Sequence, residues 1–67
     1  MPKIHIKVVT GDEFTISNAF YGAEGPLTDL KSAQVQMSFI LTKLAAIGTD
    51  QGKTVNVSQI VYEWIEE

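Results

Sequence analysis

Only one stretch of this chain, Leu30 to Ile47, repeats its apolar residues at the three-and-four spacing of a helix. Leu30, Ala33, Met37, Ile40, Leu41, Leu44 and Ile47 form a single stripe. A lone helix has no second helix to cover such a stripe, so the rest of the chain must supply a packing layer of another kind. Thr28 as N-cap, with Asp29 in the first turn, and Gly48 as the residue after the last turn bracket a helix of about 19 residues.

The flanking segments have the two-residue period of strands. In Lys3-Ile-His-Ile-Lys-Val-Val-Thr10, Ile4, Ile6 and Val8 share one face, and Lys3, His5 and Lys7 share the other. Phe14 and Ile16 repeat the pattern after Gly11-Asp12-Glu13, which predicts a hairpin. A two-residue turn would place Lys7 opposite Ile16, so an odd-length loop or a bulge is expected. A three-residue loop setting Val8 opposite Ile16 is the simplest version. In the last segment Val55 and Val57 alternate with polar residues, and the parity breaks before Ile60, which asks for a bulge or tight turn at Ser58-Gln59. Beyond it, Tyr62 and Trp64 are expected to point inward and Val61, Glu63 and Ile65 outward, because the reverse would bury Glu63.

These elements predict one α+β domain over residues 1–67, with a single helix packed on one face of a three- or four-stranded, mainly antiparallel sheet, in the order ββαβ or ββαββ. The expected core is Ile4, Ile6, Val8, Phe14, Ile16, Leu30, Met37, Ile40, Leu44, Val57, Ile60, Tyr62 and Trp64. The N-terminal Ile-x-Ile-x-Val hairpin, the one helix and the closing Val-Asn-Val-Ser-Gln-Ile-Val-Tyr-Glu-Trp-Ile-Glu-Glu67 strand resemble small uncharacterised proteins encoded by phages, prophages and plasmids of Gram-positive bacteria. That resemblance implies the fold order and brings no catalytic residues with it.

The residues argue against most chemistry. His5 is the only histidine and cysteine is absent, so two-histidine metal motifs and thiolate sites are impossible. The acidic side chains are scattered over turns, a helix start and the C-terminus. Gly48-Thr-Asp-Gln-Gly-Lys-Thr54 imitates a phosphate loop, but its glycines are spaced too closely, and it follows a helix and enters a strand, the reverse of what a phosphate cradle needs. No enzymatic activity and no cofactor are expected. The net charge of −3, with five lysines and no arginine, counts against a dedicated nucleic-acid binder. The Lys3, His5 and Lys7 strand face remains the candidate for phosphate contacts, its alternative role being to guard an exposed sheet edge. No run approaches the roughly 20 apolar residues of a membrane span, and Met1-Pro2-Lys3 leads directly into a strand without an apolar leader. The chain therefore reads as cytoplasmic.

Two surfaces stand out as candidates for partners. Phe20 and Tyr21 are adjacent aromatics in a glycine-flanked loop, a candidate binding anchor. On the helix, Val35, Phe39 and Ala46 fall opposite the main stripe among uncharged polar residues, and Val61 and Ile65 add apolar positions on the expected outer side of the sheet. A 67-residue chain without disulfides buries a small share of its surface, so covering more of it with a second copy is favourable. A homo-oligomer, with a dimer as first choice, is expected, with another protein as the alternative partner.

Overall fold

The computed structural model describes residues 2–19 and 25–67. Phe20 and Tyr21, the candidate binding loop, lie outside the described residues. The elements in chain order are β1 (Lys3–Val8), β2 (Glu13–Ile16), β3 (Asn18–Ala19), β4 (Gly25–Pro26), α1 (Leu30–Lys43), β5 (Ala46–Gly48), β6 (Thr54–Asn56), a 3-10 turn (Val57–Gln59) and β7 (Ile60–Glu66). The fold is α+β. One helix packs with an antiparallel three-stranded sheet ordered β2-β1-β7, and two short antiparallel ladders, β3-β4 and β5-β6, flank it.

The β1-β2 hairpin has the expected odd-length loop in a different place. Val8 N–H donates to Asp12 O at 3.0 Å and Gly11 N–H to Val8 O at 2.8 Å, leaving Val9-Thr10-Gly11 as the loop. Ile4 therefore faces Ile16 and Ile6 faces Phe14, in place of the expected Val8 and Ile16 pair. Gly11 takes the positive φ of 94° that this tight loop demands. The β5-β6 hairpin repeats the design, with Thr49 N–H bonded to Lys53 O, Gly52 N–H to Thr49 O, and Gly52 at φ 78°. The segment that imitated a phosphate loop is this hairpin's turn.

Helix α1 is shorter than its apolar stripe. It ends at Lys43, and Leu44 adopts extended backbone. Ile47 then pairs with Val55 across the β5-β6 ladder, and both are buried. Two β-branched residues in a ladder fill the core better than one more helical turn would. Ala46, expected on the outer helix face, consequently belongs to strand β5, where it is exposed. The helix is also rotated relative to expectation. Ala33, Gln36 and Ile40 are buried and Met37 and Leu44 half-buried, whereas Leu30 and Leu41 are exposed.

Asp29, not Thr28, is the N-cap. Its Oδ1 accepts from Ser32 N–H at 2.7 Å, and the Ser32 hydroxyl lies 3.2 Å from Asp29 N–H as its acceptor, which closes a reciprocal capping box. Replacing Asp29 with Ala is expected to cost about 1 kcal/mol of stability, within the usual range for a lost cap. Thr28→Ala should fall within a few tenths of wild type, because Thr28 lies outside the box. Urea melts of the two variants check the assignment.

Strand β7 carries the largest departure from expectation. The tight turn at Val57–Gln59 is present, but a second irregularity follows it. Lys7 pairs with Tyr62 and Val8 with Ile60, so Val61 is an extra residue in a bulge. The bulge flips the parity of everything after it. Ile65 now faces Ile4 on the core side, Glu63 faces Ile6, and Trp64 and Tyr62 lie opposite His5 and Lys7 on the outer side. Ile65, expected on the outer face, packs half-buried against the core. Tyr62 and Trp64, expected inward, are the outer-face residues. Glu63 is only half-buried, so the predicted cost of burying it is reduced.

The core consists of Ile4, Ile6, Val8, Ile16, Leu27, Ala33, Ile40, Ile47 and Val55. Phe14, Met37, Leu44, Val57, Ile60 and Ile65 pack against it half-buried. Leu27, Ala33, Ile47 and Val55, absent from the expected core, complete it.

Candidate interaction surface

Alternation along β1 fixes the composition of the outer sheet face. Ile4, Ile6 and Val8 are buried, so Lys3, His5 and Lys7 point away from the core. In-register neighbours make two full rows across the sheet: Glu13, Lys7 and Tyr62 in one, Thr15, His5 and Trp64 in the next. Beside them Lys3 pairs with Glu66. Because β1 is the central strand, its lysines guard no sheet edge; they form the middle of an open face.

Three rings dominate this face. His5 stacks on Trp64 with centroids 4.9 Å apart and planes 10° apart, and Tyr62 tilts against Trp64 at 5.4 Å. His5 Nε2 lies 2.6 Å from Glu66 Oε1. A carboxylate can only accept, so the imidazole donates this hydrogen bond. The two contacts hold the His5 ring flat against the indole. Tyr62 is 60% exposed, an unusual position for a large aromatic side chain. The bulge places Glu66 across from Lys3 and puts Glu63, expected on the outer face, on the core side of the sheet.

The far edge of β2 is closed by the β5-β6 turn. Thr15 N–H donates to Gln51 Oε1 at 2.9 Å, and Asp50 N–H donates to Thr15 O at 2.8 Å. Asp50 also accepts from Ser17 N–H at 3.1 Å, Ser17 Oγ at 2.6 Å and Thr15 Oγ1 at 3.0 Å. Partial burial pushes the Asp50 carboxyl up, but the Ser17 and Thr15 hydroxyls, the Ser17 N–H and the Lys3 charge together hold it below its ordinary value. A carboxyl depressed by folding stabilises the protein above its unfolded-state pKa, and that contribution is lost as pH falls from about 4 through the lower folded-state value. Asp50→Asn is therefore expected to flatten the acid limb of the stability profile and to lower stability at neutral pH. Thermal melts of both proteins across that range test this.

The helix candidates fare differently. Val35 is 48% exposed, while Phe39 is half-buried. The exposed apolar residues of α1 do not form a patch. At about 100° per residue, Leu30 and Leu41 share a direction but lie about 16 Å apart along the axis, and Val35 points more than about 100° away from both. Val61, at the bulge, is 60% exposed beside the aromatic face. The signal that could have found this surface is the parity conflict in β7: Ile60 and Ile65 are both apolar and five positions apart, so they share a face only if one residue between them is extra.

No helix among the described residues is long and apolar enough to cross a membrane. Compared with protein-family models, curated proteins and solved structures, the chain matches none.

Proposed function

We propose that this protein is a small, non-enzymatic protein-interaction module of the cytoplasm, of phage, prophage or plasmid type, that associates with itself through the β7 side of its sheet. The observation that carries this reading is the position of Trp64 and Tyr62. In a small domain short of buried area, two of the largest apolar side chains stand on the outer face. Aromatic residues in such positions are typical anchors of protein contacts. The polar groups support a non-catalytic role: the one imidazole bonds Glu66 and stacks on Trp64, and the Ser17 hydroxyl donates to Asp50, so no hydrogen bond among the described residues joins the histidine to a serine or threonine hydroxyl as a nucleophile–base pair.

A second reading, nucleic-acid binding, is favoured by one observation: Lys3, His5 and Lys7 share the face with two aromatic rings, the combination on which bases stack. Charge decides against it. Glu13 stands across from Lys7 and Glu66 across from Lys3, so the face carries as many carboxylates as lysines and offers no net positive charge to draw in a phosphate.

Trp64 is the only tryptophan and reports directly on this surface. Its emission is expected to shift to longer wavelength on dilution from high to low micromolar, as the contact opens and water reaches the indole. An unchanged spectrum over that range contradicts the self-association reading, and quenching by single-stranded oligonucleotides that salt reverses would favour the second.

A further inference from the structure

We propose that strand β7 pairs antiparallel with β7 of a second copy, about a two-fold axis passing through Trp64, to make one continuous six-stranded sheet. This deepens the self-association reading and rests on it.

The argument begins with backbone groups. Val8 exchanges hydrogen bonds within the β1-β2 hairpin, so Val8, Ile6 and Ile4 direct their N–H and C=O groups toward β2, and Lys3, His5 and Lys7 direct theirs toward β7. Tyr62, Trp64 and Glu66, opposite those three, point their backbone groups back at β1. Glu63 and Ile65 therefore point theirs outward. The same alternation gives Thr15 and Ser17 the outward positions on β2, and those are the residues that Asp50 and Gln51 cap. One edge of the sheet is thus closed by the chain itself. The other, β7, ends the sheet among the described residues. A row of outward N–H and C=O groups is a template for another strand.

Self-complementarity selects the strand and its register. The regular part of β7 after the bulge runs from Tyr62 to Glu66, and Trp64 is its centre. With the axis there, Glu63 and Ile65 of one copy exchange hydrogen bonds with Ile65 and Glu63 of the other, so all four outward groups on each copy are used. On the outer face Trp64 meets Trp64, and Tyr62 meets Glu66. An axis at Glu63 would instead bring two half-buried carboxylates directly opposite each other. An axis at Ile65 would pair only Trp64 to Glu66 within the regular segment and leave Tyr62 and Glu63 without partners in it. The aromatic face then runs uninterrupted from one copy to the next.

The test uses Glu63→Pro. Proline removes an N–H that faces outward, which an edge strand tolerates, and it blocks pairing at that edge. Sedimentation is expected to show at least a 10-fold weaker dimer, with the far-UV circular dichroism of wild type. A dimer as tight as wild type overturns the edge pairing while leaving self-association standing; a monomeric wild type overturns both. Should the proline variant unfold, single cysteines in this cysteine-free chain decide the question. Glu63→Cys mixed with Ile65→Cys should oxidise to the mixed disulfide in preference to either homodimer, since paired residues lie within bridging distance. Predominant homodimers of the Glu63→Cys variant, or no cross-linking in a protein that sediments as a dimer, overturn the register.

Discussion

Replacing Ile40 with alanine is expected to lower the unfolding free energy by about 2 to 5 kcal/mol, while the same change at the next residue, Leu41, should cost less than about 1 kcal/mol. Ile40 is 2% exposed and lies between the helix and the strands, joined to Ile4, Ile6 and Ile16 in one cluster. Truncating it removes buried carbon and leaves a cavity that a close-packed neighbourhood fills only in part. Leu41 stands toward solvent. The size of the effect matters because a domain of this length has only about 3 to 10 kcal/mol in total. Denaturant melts of the two variants therefore measure the rotation of α1 about its axis. Equal losses would mean that the helix presents the Leu41 side to the sheet after all.

Replacing Trp64 with alanine should leave the chain folded and abolish the association. On the outer face the half-buried indole contributes to folding through its buried apolar area as well as its stacking on His5 and Tyr62, so its loss is expected to cost about 2 kcal/mol, more than the roughly 0.5 to 1.5 kcal/mol of the ring pair alone. Were Trp64 a core residue, truncation would cost about 3 to 5 kcal/mol and leave little folded protein. At a two-fold axis, however, each dimer loses two indoles from its centre. The removal of a central aromatic anchor costs about 2 kcal/mol or more, equivalent to about a 30-fold rise in Kd. The variant should thus melt below wild type yet stay folded, and sediment as a monomer at concentrations where wild type does not. A variant that unfolds would return Trp64 to the interior, and one that dimerises as well as wild type would remove it from the contact.

Much of the architecture is legible in local sequence because it follows from two simple periods. Ile4, Ile6 and Val8 on one side of β1, and the single stripe from Ala33 through Ile40, are enough to require a sheet with one covering helix. What local sequence did not reveal are the places where tertiary contacts changed the phase. Leu44 to Ile47 continues a helical spacing, yet pairing with Val55 draws Ile47 into a strand. Gln36 looks like a surface residue, but a rotation of the helix buries it and exposes Leu41. The bulge at Val61 has no turn residue or glycine to announce it, and it inverts the outer and inner sets of β7. The candidate site suffered most from that inversion. Lys3, His5 and Lys7 were recognisable as one face, whereas their aromatic neighbours Tyr62 and Trp64 were assigned to the core and Ile65 to the surface.

The central claim is that a second copy meets the β7 edge of the sheet, where Trp64 and Tyr62 stand, and sedimentation velocity of the wild-type chain from low to high micromolar concentration measures that directly. The predicted result is a mass that rises with concentration to twice that of the single chain and stops there, as a closed two-fold contact requires. A single-chain mass at the highest concentration would contradict it.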